Sequence, residues 1–262
     1  MEAIIYNNDV LKQHSLYRHC ASTLNVVSER DYPNKNYFNP LIECLDMDTY
    51  EKKQCSGNAD CTVDTVIGIS TCKNKVTSSN RLLLVELRLD YINAKNLSKS
   101  ELEQKVEHTK ALLSSELSIE QNNIFIFTDN VAQQARSFMT RLMKGTKYSK
   151  LFVVWSVSDF KNSVKSIDDM PYIPINNPSL ICKDLDKSVE TQQWKKLFKK
   201  IHFLRNKCVS LIYKNPYEYE SLSKTIIDWW NNFRQNNPCL PNENDELDAQ
   251  VTYEDDVEIL KK

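Results

Sequence analysis

The sequence predicts an α/β protein with a mixed central sheet flanked by helices, followed by a helical C-terminal region. Three observations predict it. Two apolar runs, Val63–Ile69 and Leu82–Tyr91, have the length and aliphatic character of strands. From there to Val157 the pattern runs strand, strand, helix, strand, helix, strand, the order of helices layered on a sheet. Beyond about Asp186 the apolar spacing is helical throughout.

In chain order, residues 9–22 read as a helix and Asn25–Asn36 as a polar, turn-rich stretch broken by Pro33. Pro40 is placed to open a helix through Leu41, Ile42, Cys44, Leu45 and Met47, with a polar connector over 51–60. Strands over 63–70 and 81–91 are joined by the polar linker 71–80, so an antiparallel pair is the simplest arrangement. Ser98 and Glu101 form a capping box, and Leu97 can staple onto Leu102. Leu102, Val106, Thr109, Leu113 and Leu117 continue at helical spacing. A strand over 124–127, a helix over 130–143 and a strand over 151–157 complete the layer.

Pro171, Pro174 and Pro178 break the pattern. The expected organisation is a core domain over 1–170, a helical subdomain over 171–242 with helices at 188–213 and 218–233, and an acidic tail over 243–262.

Composition excludes several classes. Lys and Arg number 34 against 35 Asp and Glu, for a formal net charge of −1. That excludes a generally basic nucleic-acid coat and leaves room for a local basic groove. Only Gly57, Gly68 and Gly145 occur, so both glycine-rich phosphate loops, GxGxxG and GxxxxGK[ST], are missing. The apolar runs are too short to span a bilayer, and Met1–Val10 has no signal-like apolar core. A cytoplasmic protein with reduced thiols and no membrane partner is expected. His14, His19 and Cys20, and also Cys55, Cys61 and Cys72, lack the spacing of a zinc finger.

Acids inside the apolar runs are the most telling feature. Glu86, Arg88 and Asp90 share one face of a strand by alternation, and Asp64 sits in the neighbouring run. A carboxylate in a mostly buried strand is costly unless paired. A divalent cation is one such partner, and Arg88 is another. Oxygen ligands of this kind suit Mg²⁺ or Mn²⁺, so Asp64 and Glu86 are the candidate metal ligands. The competing reading leaves Glu86 and Arg88 on a solvent-facing side of the strand.

An acid in one strand, then Glu-x-basic in the next, then a helix, resembles the PD-(D/E)xK nuclease superfamily, the restriction-endonuclease-like fold. The resemblance covers about residues 40–128. It implies that Asp64 and Glu86 hold the metal and that Glu86-Leu87-Arg88 stands for the family's Glu-x-Lys. It further implies hydrolysis of phosphodiester bonds in nucleic acid and, since many members cut DNA, defence against foreign nucleic acid. The helix Lys99–Glu116 would match the helix that follows the motif, with Gln104, Lys105 and His108 available to the site. Arg88 replaces the family lysine. It can clamp phosphate but cannot readily act as a base. Lys105 or Gln104 is then expected to orient the attacking water, with Lys73 a further substitute. The alternative is an inactive nuclease-fold subunit serving nucleic-acid binding or complex assembly.

Lys195, Lys196, Lys199, Lys200 and Arg205 lie beside an apolar stripe of Trp194, Leu197, Phe198, Ile201 and Leu204. Such a helix is either core-packed with a solvated basic face or a phosphate-contacting surface. Trp229-Trp230 reads as packing of the helical region, or as a contact for a protein partner or second copy. The acidic tail reads as a solubilising terminus, or as a cover for the basic helix when nucleic acid is absent.

Overall fold

A computed structural model describes residues 2–54, 61–113 and 116–237. The chain divides into two compact units, Met1–Pro171 and Tyr172–Lys262.

The first unit is built on one mixed sheet. Its strands are β1 (Glu2–Tyr6), β2 (Ala21–Thr23), β3 (Glu43–Asp46), β4 (Thr65–Lys73), β5 (Val76–Arg88), β6 (Asn123–Phe127), β7 (Phe152–Ser156) and β8 (Val164–Lys165). The order is β2-β3-β4-β5-β6-β7, and β1 pairs with both β4 and β8. β3–β4 and β4–β5 pair antiparallel, whereas β5–β6 and β6–β7 pair parallel. The parallel steps need crossovers, and helices α5 (Lys99–Leu113) and α6 (Asp129–Leu142) supply them.

Alternation sorts the core into two layers. Val66, Leu82, Leu84, Phe125 and Phe127 pack with Leu102, Val106, Ala132 and Met139 of α5 and α6. Ile67, Leu83, Val85, Leu87, Ile124 and Ile126 face the other way. They meet Leu24 and Val27 of α3 (Leu24–Asp31) and Phe160 of α7 (Val157–Ser163). Gly68 sits under α1 (Asn8–Lys12), and a Cβ there would lie 2.4 Å from the Asn7 carbonyl. Glycine lets that helix rest directly on β4.

The expected fold class holds, and several elements differ in detail. The helix expected over 9–22 is two short ones, α1 and α2 (Tyr17–Cys20), which hand over directly to β2. The stretch expected to be turn-rich contains α3, capped by Thr23. The helix expected from Pro40 is instead strand β3, because Cys44 and Leu45 are buried beside β2 and β4. The helix begins only at α4 (Met47–Gln54), where Asp46 accepts the Thr49 amide at 3.0 Å. The polar linker 71–80 is mostly the extended end of the β4–β5 hairpin, turned by Asn74 and Lys75 at positive φ. Its side chains are polar because that end is largely exposed, while its backbone still pairs.

α5 follows its expected spacing, and Ser98 Oγ accepts the Glu101 amide at 3.5 Å. The Glu101 carboxylate, expected to close the capping box, pairs with Arg88 at 3.0 Å. Leu117 lies past the end of the helix.

The second unit is helical: α8 (Pro178–Glu190), α9 (Trp194–Leu211) and α10 (Pro216–Asn236). The single helix expected from Ser188 is interrupted at Thr191–Gln193, where Gln192 takes a φ of 52°. Leu185, Leu197, Ile201, Trp229 and Phe233 form its core. Trp229 stacks on Phe233 with ring centroids 5.2 Å apart and donates to Asp186 at 2.8 Å, so Trp229 serves packing. The expected acidic tail lies outside the described residues.

Candidate functional site

β5 presents Glu86 and Arg88 on the same face as Leu82 and Leu84, beneath α5. Thr65 pairs with Val85 in the antiparallel ladder, which brings Asp64, one residue ahead of β4, level with Glu86. The Asp64 amide donates to Glu86 Oε2 at 3.2 Å, and Asp64 Oδ2 accepts the Leu87 amide at 2.6 Å. The two acids from neighbouring strands therefore meet, as expected.

α5 supplies a cation to both. Lys105 Nζ lies 2.9 Å from Glu86 Oε1 and 3.8 Å from Asp64 Oδ1. Thr109 sets that reach: its hydroxyl donates to the Lys105 carbonyl at 2.8 Å and accepts the Val63 amide at 2.9 Å, tying α5 to the entrance of β4. Arg88 adds a second cation, 2.6 Å from Glu86 Oε1 and 3.0 Å from Glu101. It also lies over the Tyr91 ring, 5.3 Å from the centroid.

Glu86 is 1% exposed, and an unpaired charge there would cost several kcal/mol, so the two cations are what make it tolerable. The Asp64 carboxyl is pushed well above the ordinary carboxylate range by burial and by the charge of Glu86, with Lys105 and Arg88 opposing. Burial alone would lower Lys105, but Glu86 and Asp64 outweigh it and hold the ammonium above its ordinary value. Arg88 is raised likewise against its own burial.

Asp48 of α4 joins the field of this cluster. Burial raises its carboxyl, Lys105 and Lys52 oppose that, and Glu86 adds to it. Glu51, one turn further along α4, is buried and lies 3.5 Å from His108 of α5. Sequence reasoning missed Asp48 and Glu51 because they fall where a different helix and a connector were expected. It read Glu101 as a cap alone and Thr109 as one more member of the apolar stripe.

Other expected residues lie elsewhere. Gln104 is exposed and turns toward Cys61, 3.8 Å from its sulfur, rather than toward the acid pair. Lys73 is at the far end of β4 from Asp64. Asp90 is exposed in the turn after β5. On α9, Lys195, Lys196 and Arg205 are exposed. Lys200 instead binds Asp184 at 2.7 Å and Ser188 at 3.0 Å, which fastens α9 to α8. Lys199 is half-buried.

Among the described residues, no three or more His, Cys, Asp or Glu side chains are grouped to hold a metal. Mg²⁺ does not need three, since one or two carboxylates suffice when water and substrate phosphate complete its octahedron. Asp64 Oδ2 is taken by the Leu87 amide, while Oδ1 has Lys105 at 3.8 Å; two carboxylates, Glu86 and Asp48, and two cations, Lys105 and Arg88, act on it. Asp64 and Glu86 are the residues that would hold a hard divalent cation, in competition with Lys105. A cavity of about 550 Å³ at the β7 edge is lined by Arg136, Thr140, Trp155 and Asp159 and by none of the cluster.

Comparison with models of known families, with curated proteins and with solved structures finds no match to this chain. Among the described residues, no helix is long and apolar enough to cross a membrane.

Proposed function

We propose that this chain is a nuclease-like phosphodiesterase acting on nucleic acid with Mg²⁺ or Mn²⁺. The observation that supports it is the meeting of Asp64 and Glu86 from adjacent strands under the α5 cation Lys105. Asp64 and Glu86 would hold the ion. Bound there, the ion supplies Lewis acidity toward phosphate and lowers the pKa of attacking water. Arg88 binds a non-bridging phosphate oxygen, and its guanidinium geometry suits that role. Lys105 donates to the attacking water or the phosphate. It stays protonated, because Glu86 and Asp64 favour the ammonium, so it orients and stabilises rather than removing a proton. The sheet order supports the same reading, with antiparallel β3, β4 and β5, then a crossover helix and parallel β6. Defence against foreign nucleic acid is part of the same proposal.

The test is cleavage of single- and double-stranded DNA and RNA with Mg²⁺ or Mn²⁺. Asp64→Asn and Glu86→Gln should each cut the rate by at least about a hundredfold, the scale of losing one transition-state electrostatic partner. Mn²⁺ should raise the unfolding temperature of the wild type and leave Asp64→Asn unchanged. One observation favours a second reading, an inactive nuclease-fold subunit: Arg88 and Lys105 already occupy Glu86 Oε1. Gel retardation of nucleic acid with no cleavage and no Mn²⁺ stabilisation would select it. Absence of cleavage, retardation and stabilisation would discard both.

A further inference from the structure

The second unit carries a groove between α9 and α10 of about 370 Å³, lined by Arg205, Val209, Ile212, Ile226, Ile227 and Trp230. Val209 is 64% exposed and Ile227 is 56% exposed, and Tyr213 beside them is 96% exposed. Lone exposed aliphatics are ordinary, but several around one apolar groove mark a contact surface. Among the described residues, Arg205 is the one charged residue lining the groove. It belongs to α9, which contains no acidic residue. Arg205 sits at the groove itself, its guanidinium 5.9 Å from the Trp230 ring centroid.

We infer that the occupant is a segment of this same chain, residues 250–260, which lies outside the described residues. Its apolar residues Tyr253, Val257 and Leu260 recur at i, i+4 and i+7, the spacing that places anchors on one helical face. Glu254, Asp255, Asp256 and Glu258 lie between them, acids matched to Arg205 and to the basic helix that carries it. A second copy of the chain fits less well, since it would bring one basic α9 against another. Reach is sufficient. Ile227 is ten residues back from Asn237, roughly 15 Å along a helix. The thirteen residues from Asn237 to Gln250 can extend roughly 40 Å. Tethering adds an effective concentration on the order of millimolar, which a modest intrinsic affinity can use. The inference is independent of the reading of Asp64 and Glu86.

The test uses a fluorescein-labelled peptide of residues 250–262 and full-length proteins. Val257→Asp/Leu260→Asp should release the intrinsic segment and bind the added peptide at least tenfold more tightly than wild type. Adding Ile227→Asp to that variant should abolish the gain, and 0.5 M NaCl should weaken it. Circular dichroism and a thermal midpoint on each protein confirm that the helices persist. Ile227→Asp is solvent-exposed, and Val209→Asp provides a second groove variant should it fail to fold. Equal peptide binding to wild type and to the double variant would overturn the inference, as would no binding to either. A concentration-dependent dimer of the wild type that Ile227→Asp dissolves would assign the groove to a second copy and overturn it too.

Discussion

Glu86 and Glu218 are both 1% exposed carboxylates, and they solve the same problem in opposite ways. Glu86 is matched by charge, with Arg88 and Lys105 on one oxygen and the Asp64 amide on the other. Glu218, near the start of α10, is matched by neutral donors. It accepts from the Tyr172 hydroxyl, the Ile175 amide at 2.9 Å, the Asn176 amide at 2.8 Å and the Asn176 side chain. A neutral cage is closed chemistry: it fixes the turn from Tyr172 to Asn177 and has no charge left to exchange. An ion cluster is different, because a competing cation or a phosphate can replace its members one at a time. The comparison separates a buried acid held by neutral donors from one held by charge.

The largest expected effect comes from removing the acid that two cations share. Glu86→Ala leaves Lys105 and Arg88 without their common partner and should cost about 3–5 kcal/mol in denaturant unfolding. A cost below about 1 kcal/mol would mean that the cations relax into water and the cluster is loosely held. Glu218→Ala should cost less, about 2–3 kcal/mol, because it strands neutral donors rather than charges.

Acid and base should move the two sites in opposite directions. At Glu218, burial would raise the carboxyl, but Tyr172, Asn176 and Ile175 outweigh it and hold it below the ordinary range. Its stabilisation is present above the ordinary carboxylate pKa of about 4 and is lost as pH falls through the depressed value. Asp64 is raised, so the folded state holds its proton more tightly than the unfolded state does. That contribution is complete below about pH 4 and is lost as pH rises through the raised value. Stability measured from pH 3 to pH 8 should fall less on the acid side in Glu218→Gln and decline less toward neutrality in Asp64→Asn than in the wild type. Mn²⁺ should reverse the second decline in the wild type. Identical profiles for the two variants would erase the distinction.

The smallest effect lies at the helix caps. Asn215 Oδ1 accepts the Glu218 amide at 3.1 Å, so Asn215→Ala should cost about 1 kcal/mol. The Ser98 hydroxyl stands 3.5 Å from the Glu101 amide, at the outer limit of a hydrogen bond, and Ser98→Ala should cost about 0.5 kcal/mol. Equal losses would show that cap geometry at α5 is tighter than this distance indicates.

What could be read locally was read correctly where one segment carries its own signal. α5 shows its period in four side chains, Leu102, Val106, Thr109 and Leu113, and the aliphatic run before Glu86 is a buried strand. β1 and β3 were invisible because their stability comes from β4, a partner far along the chain. Glu43–Asp46 is four residues long and follows a proline, and nothing in four residues separates a strand from a helical turn. The ends of β4 and β5 looked like a loop because exposed strand residues are polar even when their backbones pair.

The sequence by itself determined the side-chain parity of the two strands, and hence that Glu86 and Arg88 share a face, because alternation is a property of any extended chain. Register was decided only in three dimensions: pairing Thr65 with Val85 puts Asp64 beside Glu86, and a shift of one residue would have parted them. Helix docking was the other tertiary decision. α5 delivers Lys105 rather than Gln104 to the acids because Leu102, Val106 and Thr109 bury the face that Lys105 borders, and packing, not composition, selects which neighbour points inward.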